Sequence, residues 1–129
     1  MKTQTVERYV ETIYELEEQT GKARTKEIAV MLDVKEPSVT EMLKKLKKKG
    51  YLKYRRYYGA NLTKKGKELA KRLNQRHVTF AKFLKMIGVD AKTAEDDACK
   101  IEHVVTTKTM EKLTTFLKYL EEHPEELPT

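Results

Sequence analysis

"PSVTEMLKKLKKKGYLKYRRYYGANLT" spans residues 37–63 and changes its period halfway. In the first half Val39, Met42, Leu43 and Leu46 recur at the spacing that places apolar side chains on one face of a helix. Pro37 suits the first turn of that helix, where a backbone N–H would have no partner. In the second half, residues 51–63 alternate loosely, are rich in tyrosine, and carry Tyr58-Gly59 where a tight reversal would sit. That pattern predicts a short β-hairpin. Upstream, Thr25 is placed to cap a helix through Leu32 with Ile28, Ala29 and Leu32 inward, and "DVKE" leaves only a short turn before Pro37. Helix, short turn, basic helix and hairpin is the order of a winged helix-turn-helix.

The flanks extend this reading. Val6, Tyr9, Val10, Ile13, Tyr14 and Leu16 predict an amphipathic helix over 4–19, and "QTGK" ends it with Gly21 just past the last turn. Thr63 can cap a long helix from Lys64 to about Ile87, stopped by Gly88. Further helices fit 91–104 and 107–122, and Pro124 and Pro128 mark a frayed tail. The expected fold class is mainly α with a small β-wing. A winged helix-turn-helix occupies 1–70, and an all-helical domain follows over 71–129.

The chain has 129 residues, 39% hydrophobic and 36% charged, which suits a soluble protein with much exposed helix surface. No apolar run approaches the roughly 18 residues of a membrane span, and "MKTQTVERYV" lacks the apolar core of a signal peptide. One cysteine cannot form an internal disulfide, consistent with a reducing cytoplasm. The net charge of +7 hides an asymmetry: residues 21–76 hold 18 Lys+Arg against 5 Asp+Glu, and the remainder 9 against 15. A basic segment beside an acidic one is the electrostatic footprint expected of a nucleic-acid-binding module with an acidic partner domain, although lysine runs also serve solubility. Gly-rich phosphate loops, Ser-His-Asp sets and HExxH are missing, so the usual sequence signs of an enzyme are not found.

If 37–48 is a recognition helix, its first turns meet base edges in the major groove. Pro37, Ser38, Thr40 and Glu41 are the candidates: hydroxyls donate or accept, a carboxylate accepts from cytosine, and proline packs against a thymine methyl. Lys35 precedes the helix and joins the DNA-binding set. Lys44, Lys45, Lys47, Lys48, Lys53, Arg55 and Arg56 are placed for phosphates, which position the protein without reading sequence. Ser38 could equally pad the helix start. Tyr54, Tyr57 and Tyr58 are expected to pack or edge the wing rather than stack on bases.

A second stretch, "ACKIEHVV" (98–105), places Cys99, Glu102 and His103 three and four residues apart, on one face if the segment is helical. On spacing alone this is either a small donor cluster or a core cysteine beside a surface Glu-His pair. His77 on the long helix and Glu11 on the first are further donors that could converge on it. His123, between Glu122 and Pro124, reads as a surface residue.

Taken together, "RYVETIYEL" (8–16), "PSVTEMLKKL" (37–46), "YLKYRRYYGANLTKKGKELA" (51–70), "RH" (76–77), "FLKMIGVD" (83–90) and "ACKIEHVV" (98–105) give a chain that resembles the metal-dependent repressors of the diphtheria toxin repressor and manganese transport regulator type. The similarity runs from about Val6 to Tyr119 and is closest to their short, two-domain branch. The resemblance implies a homodimer whose winged helices bind a palindromic operator in double-stranded DNA and whose C-terminal helices form the dimerisation domain. It implies Fe²⁺ or Mn²⁺ as corepressor of metal-uptake genes in the cytoplasm, with neither a membrane nor a small-molecule substrate. Glu11, His77, Glu102 and His103 stand where the manganese branch has ligands. Cys99 stands where that branch has a glutamate and the iron branch a cysteine. Zn²⁺ and Co²⁺ also suit such donors in vitro, and a thiolate ligand would make affinity rise with pH.

Arg8 departs from the pattern, standing where the manganese branch has an aspartate ligand and the iron branch a methionine. An arginine is always charged and cannot coordinate. Its guanidinium is expected to pair with Glu11 or Glu102 as an internal cation. Two alternatives stand beside this reading: a metal-independent winged-helix regulator with Arg8 as the internal cation, or a small metalloenzyme in which the same Cys/Glu/His set keeps an open coordination position.

Overall fold

The computed structural model describes residues 3–127, so Pro128 lies outside the described residues. The elements are α1 (Thr3–Thr20), α2 (Thr25–Leu32), α3 (Glu36–Lys48), β1 (Leu52–Arg55), β2 (Gly59–Leu62), α4 (Lys64–Met86), α5 (Ala91–Ile101), α6 (Thr107–Glu122) and a single 3₁₀ turn (Pro124–Glu126). They form two compact units, Met1–Arg72 and Leu73–Thr129, with the boundary inside α4.

The first unit is a winged helix-turn-helix. Val10 and Ile13 of α1, Ile28 of α2, Val39, Leu43 and Leu46 of α3, and Leu52, Ala60 and Leu62 of the hairpin are all buried, the apolar stripes their spacing predicts. The hairpin is antiparallel, with Leu52 opposite Leu62 and Arg55 opposite Gly59. The reversal therefore lies at Arg56-Tyr57, not at Tyr58-Gly59. Tyr58 N–H donates to the Arg55 carbonyl at 3.0 Å, and Tyr57 takes the left-handed conformation at φ 71°. Gly59 is needed for a different reason: a Cβ there would lie 2.7 Å from the Ala23 carbonyl oxygen.

That close approach reflects a contact between distant segments. Ala23 and Ala60 exchange both backbone hydrogen bonds, at 2.9 and 2.7 Å, so the chain after α1 is joined to the wing by a single bridge. Glu17 of α1 accepts from the Leu62 N–H at 3.1 Å, and Asn61 Nδ2 donates to the Gly21 carbonyl at 2.7 Å. The bridge also explains why Thr25 does not cap α2. Arg24, still extended from the bridge at φ −94° and ψ 148°, is the N-cap and gives no side-chain bond, so Thr25 is already helical.

Thr63 does cap α4, accepting from Gly66 N–H at 3.3 Å while its hydroxyl donates to the Gly50 carbonyl at 2.6 Å. In the second unit Phe80, Ala81, Ala98 and Met110 form the core, with Ile101, Val105 and Leu113 packed against them. Asp90 and Thr106 cap α5 and α6 by accepting from Thr93 and Thr109 N–H groups. Helix α5 stops at Ile101 rather than at 104. Val104 N–H bonds to the Ile101 carbonyl, a tightened turn that takes residues 102–104 out of the helix. The tail is not simply frayed: residues 124–126 make a 3₁₀ turn, Tyr119 donates to Glu126 at 2.8 Å, and the half-buried His123 ring stacks on Tyr119.

Gly66 supplies a test. Helix propensity alone favours alanine there by about 1 kcal/mol. A Cβ at Gly66, however, would lie 2.1 Å from the Tyr51 carbonyl oxygen and 3.0 Å from Leu62 Cδ2. Gly66→Ala is expected to destabilise the winged helix by on the order of 1–3 kcal/mol, measured by urea unfolding. A stabilised variant would refute the packing.

Candidate metal centre and nucleic-acid interface

The second unit places three of the expected donors together. Glu102 follows the last helical residue of α5, keeps helical dihedrals at φ −56° and ψ −25°, and its N–H bonds to the Ala98 carbonyl. Its side chain is fully buried. Two imidazoles flank the carboxylate: His77 Nδ1 lies 3.1 Å from Oε2, and His103 Nε2 lies 3.3 Å from Oε1. The His103 side chain is only 4% exposed. A buried carboxylate needs compensating charge. One carboxylate with two imidazoles is a mixed O/N donor set that suits divalent first-row cations, so these residues fit a metal ion.

The two remaining expected ligands, Cys99 and Glu11, sit on α5 and α1. Cys99 lies in the last turn of α5 and is exposed, so it does not share the burial of Glu102 and His103 that one helical face would give. Glu11 is carried by α1 of the first unit and is partly exposed. Arg8 does not act as the expected internal cation: it is exposed on α1 between the buried Glu7 and Tyr9 and makes no ion pair among the described residues.

Two supports of the centre lack a local sequence signal. Arg76, next to His77, donates through Nη1 to the carbonyls of Glu102 and Val105 at 3.2 and 3.3 Å, and through Nη2 to Thr107 Oγ1 at 3.4 Å. It thereby fixes the turn that carries Glu102 and His103, where the carbonyl-rich end of α5 favours a cation. Glu95 of α5 lies 2.5 Å from His77 Nε2 and 2.8 Å from Lys85 Nζ. Lys85, and then His77, hold its carboxyl below the usual range. Both partners are 18 and 10 residues away in the chain, which hides the constellation from a scan of short motifs.

The first unit carries the basic face. Lys35 is the N-cap of α3, and Pro37, Ser38, Glu41, Lys44, Lys45 and Lys48 are exposed along that helix. Thr40 is half-buried and donates its hydroxyl to the Glu36 carbonyl at 3.2 Å. Lys47 Nζ reaches the Tyr54 carbonyl at 3.4 Å, linking helix to wing rather than projecting freely. Arg55 and Arg56 are exposed at the wing, over the rings of Tyr58 and Tyr57 at 5.0 and 5.1 Å. These tyrosines edge the wing, 60% and 87% exposed. Between the start of α3 and the wing lies an open cleft of about 860 Å³, lined among others by Arg24, Pro37, Thr40, Lys44 and Arg56.

A winged helix-turn-helix with a basic recognition helix, joined to a helical unit carrying a His/Glu/His cluster, defines a metal-responsive DNA-binding regulator. The family model described as the iron dependent repressor N-terminal DNA-binding domain matches residues 1–60, and that of the iron dependent repressor metal binding and dimerisation domain matches 63–129. The HTH-type transcriptional regulator MntR of Lysinibacillus sphaericus is 42% identical over 125 residues, covering 97% of this chain and 90% of that protein. An uncharacterized HTH-type transcriptional regulator of Methanocaldococcus jannaschii is 40% identical over 118 residues, covering 90% of this chain and 94% of its own. The solved structure of the manganese regulator SloR aligns with a TM-score of 0.73 at 36% identity, covering 88% of this chain and 53% of that one. The chain belongs to the iron-dependent repressor family. It is a metal-dependent, DNA-binding transcriptional repressor with a dimerisation domain, and the metal-independent alternative is set aside. No helix among the described residues is long and apolar enough to cross a membrane.

Arg76→Met should remove three charge-assisted hydrogen bonds from the 102–107 turn. We expect a loss of about 1–3 kcal/mol in unfolding free energy, together with weaker metal binding because the turn no longer presents Glu102 and His103. Thermal and urea unfolding of the metal-free protein would check the first effect separately from the second.

Proposed function

We propose that this chain is a cytoplasmic repressor of metal-uptake genes whose corepressor is Mn²⁺ or Fe²⁺, acting by binding and without turnover. Glu11, His77, Cys99, Glu102 and His103 are its ligands in this reading. The observation that carries it is the buried Glu102 carboxylate flanked by His77 and His103. Carboxylate and imidazole admit Mn²⁺, Fe²⁺, Co²⁺ and Zn²⁺, so affinity in vitro and the cellular signal need not coincide. The description of SloR as a manganese regulator favours manganese.

A divalent cation held by these residues would supply the charge that offsets the buried Glu102 carboxylate. His77 and His103 would each offer it a ring-nitrogen lone pair. Arg76 keeps the 102–105 turn in place. On the DNA side, Pro37, Ser38, Thr40 and Glu41 meet base edges, while Lys35, Lys44, Lys45, Lys48, Arg55 and Arg56 neutralise phosphates of a palindromic operator. The exposed Phe116 and Tyr119 of α6 are apolar surface for a homodimer to bury.

The first test is an anaerobic titration of chelator-stripped protein with Mn²⁺ and Fe²⁺. One or two ions per chain are expected, with Glu102→Gln losing most of the affinity; no specific binding of either ion would refute the reading. Coupling between metal and operator is typically about 1–3 kcal/mol and is reciprocal. Operator DNA should therefore tighten Mn²⁺ binding by the same factor by which Mn²⁺ tightens operator binding, and equal affinities with and without operator would refute the coupling. Arg55→Ala should weaken operator binding regardless of sequence and lower the salt slope by about one, read from anisotropy titrations at several salt concentrations.

A further inference from the structure

We infer that Glu95 is a positioning residue for the metal centre: it accepts a hydrogen bond from the Nε2–H of His77, so that Nδ1 is left as the ligand atom. The inference rests on the metal reading above and concerns a residue outside the proposed ligand set. His77 touches a carboxylate at each nitrogen, with Nδ1 3.1 Å from Glu102 Oε2 and Nε2 2.5 Å from Glu95 Oε2. A neutral imidazole has one N–H and one lone pair, so it can satisfy one carboxylate only. The two are not equivalent. Glu102 is fully buried beside a second imidazole, whereas Glu95 is 46% exposed and anchored by Lys85 Nζ at 2.8 Å.

Placing the proton on Nε2 gives the Glu95 oxygen a donor and leaves the Nδ1 lone pair facing the Glu102 oxygen. Two electron-rich atoms turned toward each other are compatible when a cation lies within reach of both. The opposite tautomer would spend Nδ1 on Glu102 and present the ligand lone pair to a surface carboxylate. A carboxylate on the far nitrogen of a metal-bound imidazole also raises that ligand's basicity and fixes its ring, and losing such a partner typically costs about 10–100-fold in metal affinity. Lys85, two turns further along the helix that carries His77, bonds the other Glu95 oxygen and is not needed for this task.

The test uses the full chain with Glu95→Ala, Glu95→Gln and Lys85→Met. Mn²⁺ affinity is read from free Mn²⁺ by electron paramagnetic resonance. The His77 ring proton is read by NMR in the Zn²⁺-loaded protein. Glu95→Ala should bind Mn²⁺ about 10–100-fold more weakly and lose the slowly exchanging, downfield Nε2 proton. Glu95→Gln, whose carbonyl still accepts from Nε2, should keep that proton and fall between. Lys85→Met, which breaks the tie to α5 but leaves Glu95, should stay close to the parent. If Glu95→Ala binds like the parent and the ring proton is unchanged, the inference fails and the metal reading stands. If Lys85→Met loses as much affinity as Glu95→Ala, the effect belongs to helix packing and the inference also fails. A parent that binds no Mn²⁺ overturns the metal reading and the inference with it.

Discussion

A carboxylate with no access to solvent, Glu102 at the end of α5, is the constraint around which the second unit is organised. Burying a charge costs several kcal/mol unless other groups compensate it. The chain meets that cost with neighbours that are useful only together. His77 and His103 flank the acid, and Arg76 grips the main chain on either side of it. The adjacent pair Arg76-His77 thus does two jobs from one turn of α4, one on the backbone that presents the carboxylate and one on the carboxylate itself. Such a cluster gives a divalent cation a differential interaction to exploit, and only a differential interaction can shift an equilibrium between conformations.

In the first unit the corresponding constraint is the docking of the wing. A two-stranded ribbon is marginal by itself. Here Ala23 adds a bridge to β2, Glu17 satisfies the Leu62 N–H, Asn61 holds the Gly21 carbonyl, and Lys47 joins α3 to β1. The wing and the recognition helix are consequently held on one body. The exposed Arg55 and Arg56 and the start of α3 therefore keep a set register, as sequence reading in the major groove requires.

Charge divides in the same way as structure. The basic excess lies in the DNA-binding unit and the start of α4, which gives attraction to phosphate without specificity. Control of that attraction by metal needs no large energy. A coupling of about 1–3 kcal/mol changes operator affinity by roughly 5–150-fold, within reach of a single compensated carboxylate.

Much of this was legible in the chain by itself. Apolar spacing located α1, α2 and α3, the loss of that period after Gly50 located the wing, and Thr63 and Gly88 bracketed α4, because these signals depend on neighbours within a few residues. His77, Glu102 and His103 were identifiable as donors through resemblance, while spacing alone left Cys99 and its neighbours ambiguous. Tertiary structure decided the rest. It moved the hairpin reversal to Arg56-Tyr57, made Arg24 rather than Thr25 the N-cap, ended α5 at Ile101, exposed Cys99 and left Arg8 outside any ion pair among the described residues. It also brought Glu95 to His77 across 18 residues, Arg76 to Glu102 across 26 and Glu17 to Leu62 across 45. The physical reason is the same throughout. Local propensity sets where a helix or turn can form, but which polar side chain meets which backbone or ring is decided only when the elements pack and every buried polar group must find its partner.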